Sequence, residues 1–304
     1  SEGVTFLFNP FLNAASFNFS AARFKLRGYE GDLSVTYMNG IPMQNLDNGS
    51  TAFNLWSGLN DVVRNREISF GIRFLSFGYG GIGTATNMDT RALQQRVQTS
   101  FSYAVSNRSY LHRFMLTHST GMSKKGWAFS FSGSRRWSDE GYVPGTYYNG
   151  WSAYIGIDKK FNSKQTLSLV MFYAPVENGR QGAATEEMQM LSGTHYYNPY
   201  WGYQNGQKRN ASIGKTRMPL AILSDEFKIN ENTILITAAG YTFGTRSVSG
   251  IDWYNAPDPR PDYYKYLPSY QTDSLLQQIV AQRFLSDETL CQINWQRLYD
   301  VNRS

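Results

Sequence analysis

From Gln98 onward, bulky and small side chains alternate with a period of two, and that alternation commits most of the chain to β-sheet. Phe101, Tyr103 and Val105 alternate with Ser100, Ser102 and Ala104, and Trp127, Phe129 and Phe131 alternate with Ala128, Ser130 and Ser132. Trp151, Ala153, Ile155 and Ile157 alternate with Ser152, Tyr154, Gly156 and Asp158. Leu167, Leu169, Met171 and Tyr173 repeat the pattern, blurred by Val170 and Phe172, and weaker strands follow near 220–228 and 233–243. Successive residues of a strand point to opposite faces, so the sheet has one bulky face and one small or polar face.

The small face, with Ser100, Ser102, Ser130, Ser132, Ser152, Gly156, Thr166 and Ser168, makes a poor hydrophobic core. It suits a wet lumen or a tightly packed insert. The bulky face then meets hydrocarbon, with Trp127, Trp137 and Trp151 near the interfaces.

Connection lengths point the same way. Residues 121–125, 162–164 and 230–232 are short polar turns, whereas 139–149, 176–219 and everything after Gly244 read as long loops. Short and long links alternate, as they do in an outer-membrane barrel with short periplasmic turns and long extracellular loops. The link between Ser106 and Tyr110 falls on the long-loop side and is short, so the rule is imperfect.

Composition narrows the class. Of 304 residues, 17% are charged and 15% are aromatic, fewer charges than the roughly 25% of an ordinary soluble domain. No run of 18 apolar residues forms a membrane-spanning helix, and the mean hydropathy is −0.44. Barrel strands produce no such peak, because only alternate residues face lipid. The net charge of +6 is scattered, with no basic helix or basic–aromatic strip, which argues against nucleic acid as a partner. A single cysteine, Cys291, excludes a disulfide framework and a cysteine-rich metal site.

Residues 1–95 differ in character, being Gly-rich with short apolar runs. Val35–Met38 reads as a buried strand, Asn39-Gly40 as a turn that favours positive φ, and Pro42 as a stop. Leu59–Val63 reads as a turn or short helix and Arg66–Phe70 as a strand ending at Gly71. This is a small mixed α/β unit.

Four segments of that unit resemble the plug of TonB-dependent outer-membrane receptors. Phe24-Lys25-Leu26-Arg27-Gly28-Tyr29 resembles the family's R-x-R-G region, and Val35-Thr36-Tyr37-Met38-Asn39-Gly40-Ile41-Pro42-Met43 its V-x-x-N/D-G-V/I-P strand and turn. Arg66-Glu67-Ile68 resembles the I-E-V strand, and Phe77–Arg91 the closing segment rich in glycine. Gly58–Val62 and the Tyr/Pro-rich Trp253–Pro268 are similar to Bacteroidetes-type members. Asn87-Met88-Asp89-Thr90 departs from the family pattern by placing an acid among apolar residues.

The resemblance implies a mixed α/β plug remnant at 1–95, followed at 96–304 by antiparallel transmembrane β-barrel strands forming a partial barrel. Such barrels have about 22 strands, and roughly seven are expected here, so the chain reads as truncated at both ends. The implied function is TonB-dependent import of a scarce ligand across the bacterial outer membrane. The implied partners are an energy-coupling protein acting through the missing plug front, a small-molecule, glycan or peptide ligand, outer-membrane lipid, and a surface lipoprotein. Arg27, Gly28, Asn39, Gly40, Gly80, Gly81 and Gly83 are the plug-motif positions, and Arg27, Arg64, Arg66 and Arg91 are candidate contacts with the barrel wall.

Chemistry-bearing motifs are sparse. Gly78–Gly83 matches G-x-G-x-x-G, but strand or turn formers follow it, whereas a dinucleotide site needs a helix there. His112 and His118 sit six residues apart on one strand, too far to share a metal, and Glu186-Glu187 reads as a solvated loop pair. No G-x-S-x-G or H-E-x-x-H occurs. The reading is therefore of a non-enzyme without cofactor or metal. The aromatic loop segments stand out instead, and Tyr200, Trp201, Trp253 and Tyr254 are the candidate ligand contacts. The competing reading is that these aromatics pack the loops on each other. Residues 272–290 carry near-helical apolar spacing, with Asp273 as a favourable N-terminal charge. Three rival functions stand beside import: an outer-membrane structural or adhesive barrel, a soluble β-rich glycan-binding module, and an outer-membrane hydrolase, for which no nucleophile–base pair is found.

Overall fold

The computed structural model describes residues 33–75, 78–79 and 82–303. Arg27, Gly28, Gly80 and Gly81 lie outside the described residues, as does the Phe24–Tyr29 motif.

The first part forms a small sheet from β1 (Val35–Met38), β2 (Ile41–Pro42), β3 (Arg66–Phe70) and β6 (Thr84–Met88), with β4 (Phe74–Leu75) and β5 (Gly78–Tyr79) forming a separate short hairpin. The sheet order is β2-β1-β6-β3, with β1 parallel to β6 and the other pairs antiparallel. Asn39 and Gly40 make the predicted tight turn, both at positive φ (50° and 84°). As expected of a stop, Pro42 is the last residue of β2. It lies opposite Tyr37 in the edge strand β2, where a missing N–H costs no ladder bond. After Gly83 the chain enters strand β6 rather than a helix, so the glycine motif is no nucleotide loop.

The second part is one large antiparallel sheet. Its members are β7 (Gln98–Val105), β8 (His112–Ser119), β9 (Trp127–Ser138), β10 (Tyr148–Lys160), β11 (Gln165–Tyr173) and β12 (Val176–Gly179). The long connection that follows holds α1 (Glu186–Leu191) and the hairpin of β13 (Trp201–Gln204) and β14 (Gln207–Asn210). The chain then returns to the sheet as β15 (Ile213–Arg217), β16 (Leu220–Asn230), β17 (Thr233–Thr242) and β18 (Thr245–Val248), and ends in α2 (Ser274–Ser286) and α3 (Trp295–Arg303).

β12 continues β11 across Pro175, β15 runs into β16 across Pro219, and β17 into β18 across Gly244, so the ten segments make seven passes. Each pass pairs with the next in chain order. The sheet is open, since β7 and the β17–β18 pass do not pair with each other. The loops expected at 176–219 and after Gly244 are thus shorter, spanning 180–212 and 249 onward. Proline removes one ladder bond without ending the strand, because pairing resumes on its far side.

The two faces are inverted relative to a soluble domain. Phe131 and Ile155 are 46% and 50% exposed, and Phe101, Phe129, Trp151, Met171 and Leu223 share their side. Ser130 is 1% exposed, and Ser132, Ser134, Ser152, Ser168 and Ser224 are buried with it. The small sheet covers this serine face. Met38, Leu55, Trp56, Leu59, Val62 and Met88 pack into one core with Tyr154, Val170, Phe172, Leu220 and Ile222 of the large sheet. Val170 and Phe172 blurred the alternation because they turn inward to meet that core. Each such side chain contributes about 2 kcal/mol on burial. Around it the lining is polar, with Thr117 bonded to Ser132 (2.7 Å) and Ser119 to Ser130 (2.6 Å).

Candidate functional site

Two places concentrate unusual chemistry: the seam between the small and large sheets, and the loop layer at the long-loop end.

At the seam, polar side chains link the two parts pass by pass. Ser100 of β7 donates to Asp61 Oδ2 (3.1 Å), and Thr117 of β8 donates to the same oxygen (3.4 Å). Arg136 of β9 donates to the Ser57 carbonyl (3.1 Å) and Ser57 Oγ (3.0 Å), and Ser152 of β10 donates to the same carbonyl (2.6 Å). Tyr154 Oη donates to the Thr90 carbonyl (2.6 Å), and Asp158 accepts from the Leu93 amide (2.7 Å). Arg91 bridges Asp89 (2.5 Å) and Glu226 of β16 (2.7 Å). Burial alone would lower the Arg91 guanidinium, but the bonds and charge of Asp89 and Glu226 outweigh it and hold it above its ordinary value. The acid at position 89, odd for the family pattern, is one half of this clasp.

Of the arginines picked out from sequence, Arg91 reaches the large sheet. Arg64 pairs with Asp61, and Arg66 donates to the Val63 carbonyl (2.6 Å), both inside the small unit. Burial pushes the Arg66 guanidinium down. Sequence reasoning missed Asp61, Arg136, Tyr154, Asp158 and Glu226. One signal was available for Arg136: it occupies the inward parity of β9 after Ser130, Ser132 and Ser134.

The plug-motif positions have local roles. Asn39 Oδ1 accepts from the Thr90 amide (2.8 Å) and hydroxyl (3.2 Å), tying the β1–β2 turn to the chain after β6. A Cβ on Gly83 would lie 2.9 Å from Ser34 Oγ and 3.0 Å from the Leu33 carbonyl, so only glycine allows that approach. Asn39→Gly keeps the turn's φ and removes the buried acceptor. It is expected to cost about 2 kcal/mol, read as a lower urea midpoint at unchanged slope.

The loop layer builds its own cores. Met188, Leu191, Tyr197, Leu267, Phe284 and Cys291 form one, and Ala211, Ala256, Ile293, Trp295 and Leu298 form another, with Ile251 and Trp253 against it. Trp201 is 9% exposed; its carbonyl accepts from Ile293 (2.8 Å), and Lys208 Nζ lies 5.0 Å from its ring. The Tyr200 carbonyl accepts from Ala211 (2.6 Å), and Arg260 lies 5.7 Å from the Trp253 ring. Tyr254 alone of the four candidates stands open, at 81%. The structure therefore brings Trp201 and Trp253 into loop packing and leaves Tyr254 at the surface. Tyr263, Tyr264, Tyr266 and Tyr270 stack edge-on nearby in sequence.

Glu186 and Glu187 are not a loop pair but the first turn of α1, capped by Thr185; Glu187 also accepts from the Ser269 amide (2.9 Å) and hydroxyl (2.7 Å). The helix expected over 272–290 is α2, capped by Asp273, with Phe284 turned into the loop core. No metal-ligand cluster occurs among the described residues. Burial, then the charges of Glu288 and Asp287, push the Cys291 thiol up. In the folded protein it is expected to react with maleimide at neutral pH at least roughly tenfold more slowly than after denaturation.

No family model and no curated protein matches the chain. Solved structures do match. The siderophore receptor PiuA from Acinetobacter baumannii superposes on 71% of this chain with a TM-score of 0.50 at 16% identity. The ferric citrate transporter FecA in its unliganded form superposes on 73% with a TM-score of 0.50 at 15% identity. What they share with this chain is a fold. The chain spans about a third of each, 30% of the former and 33% of the latter.

Proposed function

We propose that the chain is part of a TonB-dependent importer of the bacterial outer membrane, with residues 1–95 the later part of its plug and 96–304 the first passes of its barrel. One observation carries this reading: bulky apolar side chains stand exposed on one face of the large sheet while serines are buried on the other. Water penalises that arrangement and hydrocarbon rewards it. The plug-like motifs and the fold shared with a siderophore receptor and a ferric citrate transporter support the same conclusion. The similarity of Gly58–Val62 and Trp253–Pro268 favours a Bacteroidetes-type member.

In this reading the loop layer captures a small-molecule, glycan or peptide ligand, and a surface lipoprotein is a further candidate partner. Tyr254 and the exposed tyrosines of 263–270 make first contact, while Tyr200, Trp201 and Trp253 hold the loops that present them. Energy delivered through a TonB-type protein to the front of the plug then disengages the seam. The contacts at Asp61, Ser57, Thr90, Leu93 and Arg91 are polar and exchangeable for water, which suits a surface that must slide. A structural or adhesive barrel would need no such seam. A soluble glycan-binding module would have to keep its aromatic face in water.

The test is uptake. Cells given ferric siderophores as the sole iron source, and in parallel a set of labelled oligosaccharides and peptides, are expected to import one class only when both the full-length protein and the coupling protein are present. Uptake indifferent to the coupling protein would reject active transport. Tyr254→Ala is expected to lower ligand affinity with the barrel intact.

A further inference from the structure

On the outer face of the large sheet, at the end carrying the short turns, lies an open groove of about 590 Å³. Ser123, Lys124, Lys125, Trp127, Phe129 and Ile157 line it, and no acidic side chain does. Its floor is apolar and pre-shaped. Trp127 and Phe129 lie nearly parallel, with ring centres 5.9 Å apart and planes 7° apart, and Phe129 faces Ile157 across the β9–β10 pair.

The rim is cationic and fixed by the backbone. Ser123 accepts from the Gly126 amide (2.9 Å), closing a turn with Lys124 and Lys125 at its tip and Gly126 at φ 77°. The Ser123 hydroxyl accepts from the Trp127 amide (3.0 Å), fastening the turn to the strand. Lys159 lies with its ammonium 4.7 Å from the Trp127 ring centre and donates to the Lys125 carbonyl (2.8 Å). It thereby clamps the indole flat and braces the turn, while Lys124 and Lys125 are both exposed. Neither makes an ion pair among the described residues.

We propose that this groove binds one anionic glycerophospholipid: an acyl chain against Trp127, Phe129 and Ile157, and the headgroup phosphate between the Lys124 and Lys125 ammonium groups. The proposal rests on the reading of the large sheet as a membrane wall, which puts the short-turn end at the periplasmic leaflet. Aromatic side chains settle at that boundary, and lysines there attract anionic headgroups. An apolar floor with a purely cationic rim fits a lipid carrying net negative charge better than a zwitterionic one.

The experiment is native mass spectrometry of the full-length protein released from vesicles of phosphatidylethanolamine containing phosphatidylglycerol. The wild type is expected to retain one phosphatidylglycerol in preference to phosphatidylethanolamine. Lys124→Gln and Lys125→Gln should each lower that preference roughly fivefold. Trp127→Ala should weaken retention of both lipids alike. Equal retention of both lipids by the wild type, or preference unchanged in the Lys124→Gln/Lys125→Gln double variant, overturns the site. Entry into the bilayer is scored separately by the heat-dependent gel migration of a folded barrel. A protein that enters no vesicle sinks the wall reading and the site with it, whereas entry without phosphatidylglycerol preference sinks the site alone.

Discussion

Arg136→Ala is expected to free the 53–63 segment from the large sheet, at a cost of about 2–3 kcal/mol for the lost charge-assisted bonds. Arg136 is 6% exposed, and its guanidinium reaches Ser57 through both the carbonyl and the hydroxyl. It lies 5.3 Å from the Tyr148 ring centre and 5.9 Å from that of Tyr110, which hold it in place. Removing it leaves the Ser57 carbonyl with Ser152 alone among these donors. The readout is amide exchange at Val62 and Val63, whose N–H groups bond to the Leu59 carbonyl; it should quicken by roughly a hundredfold if opening is local.

Gly58→Ala provides the cross-check. Gly58 sits at φ 85°, and an added Cβ would lie 2.6 Å from Arg136 Nε, so alanine meets both backbone strain and a clash. The strain alone costs about 1–3 kcal/mol. In the Arg136→Ala background the clash disappears and only the strain remains, so the second substitution should cost less than it does in the wild type. Strict additivity, with exchange unmoved by Arg136→Ala, would mean the contact holds nothing.

Ile155→Arg should markedly destabilise the protein folded into lipid vesicles. Ile155 is flanked on its face by Phe131 of β9 and Met171 of β11, in the middle of the longest strand pair. Arginine on a lipid-facing strand costs about 2–4 kcal/mol at the bilayer midplane. In a water-facing sheet the same change would break up an exposed apolar patch and raise solubility. The two readings of the sheet therefore predict opposite signs, and urea titration of the vesicle-folded protein, compared with yield in aqueous buffer, reads the sign directly.

Much of the large sheet was legible because its information is local. Alternation at 101–105, 127–132 and 151–158 specifies which parity is bulky, and the turns near 121–125, 162–164 and 230–232 fall where the strands end. The Asn39-Gly40 turn was equally local. The loop expected at 176–219 was drawn too wide, since pairing resumes beyond Pro175 and starts again before Pro219. The seam was not legible. Ser57 meets Arg136 79 residues away, and Arg91 meets Glu226 135 residues away; nothing in either neighbourhood names the other. The loop aromatics were conspicuous, but whether an indole packs or faces solvent depends on what covers it.

Sequence by itself determined that this protein would have a two-faced antiparallel sheet with bulky residues on one side, because a strand's side-chain direction follows from parity alone. Only the tertiary structure decided where the small unit would pack against the serine face and which polar groups would close the seam. Those outcomes depend on how the small unit docks, and docking is a sum over distant surfaces that no local pattern encodes.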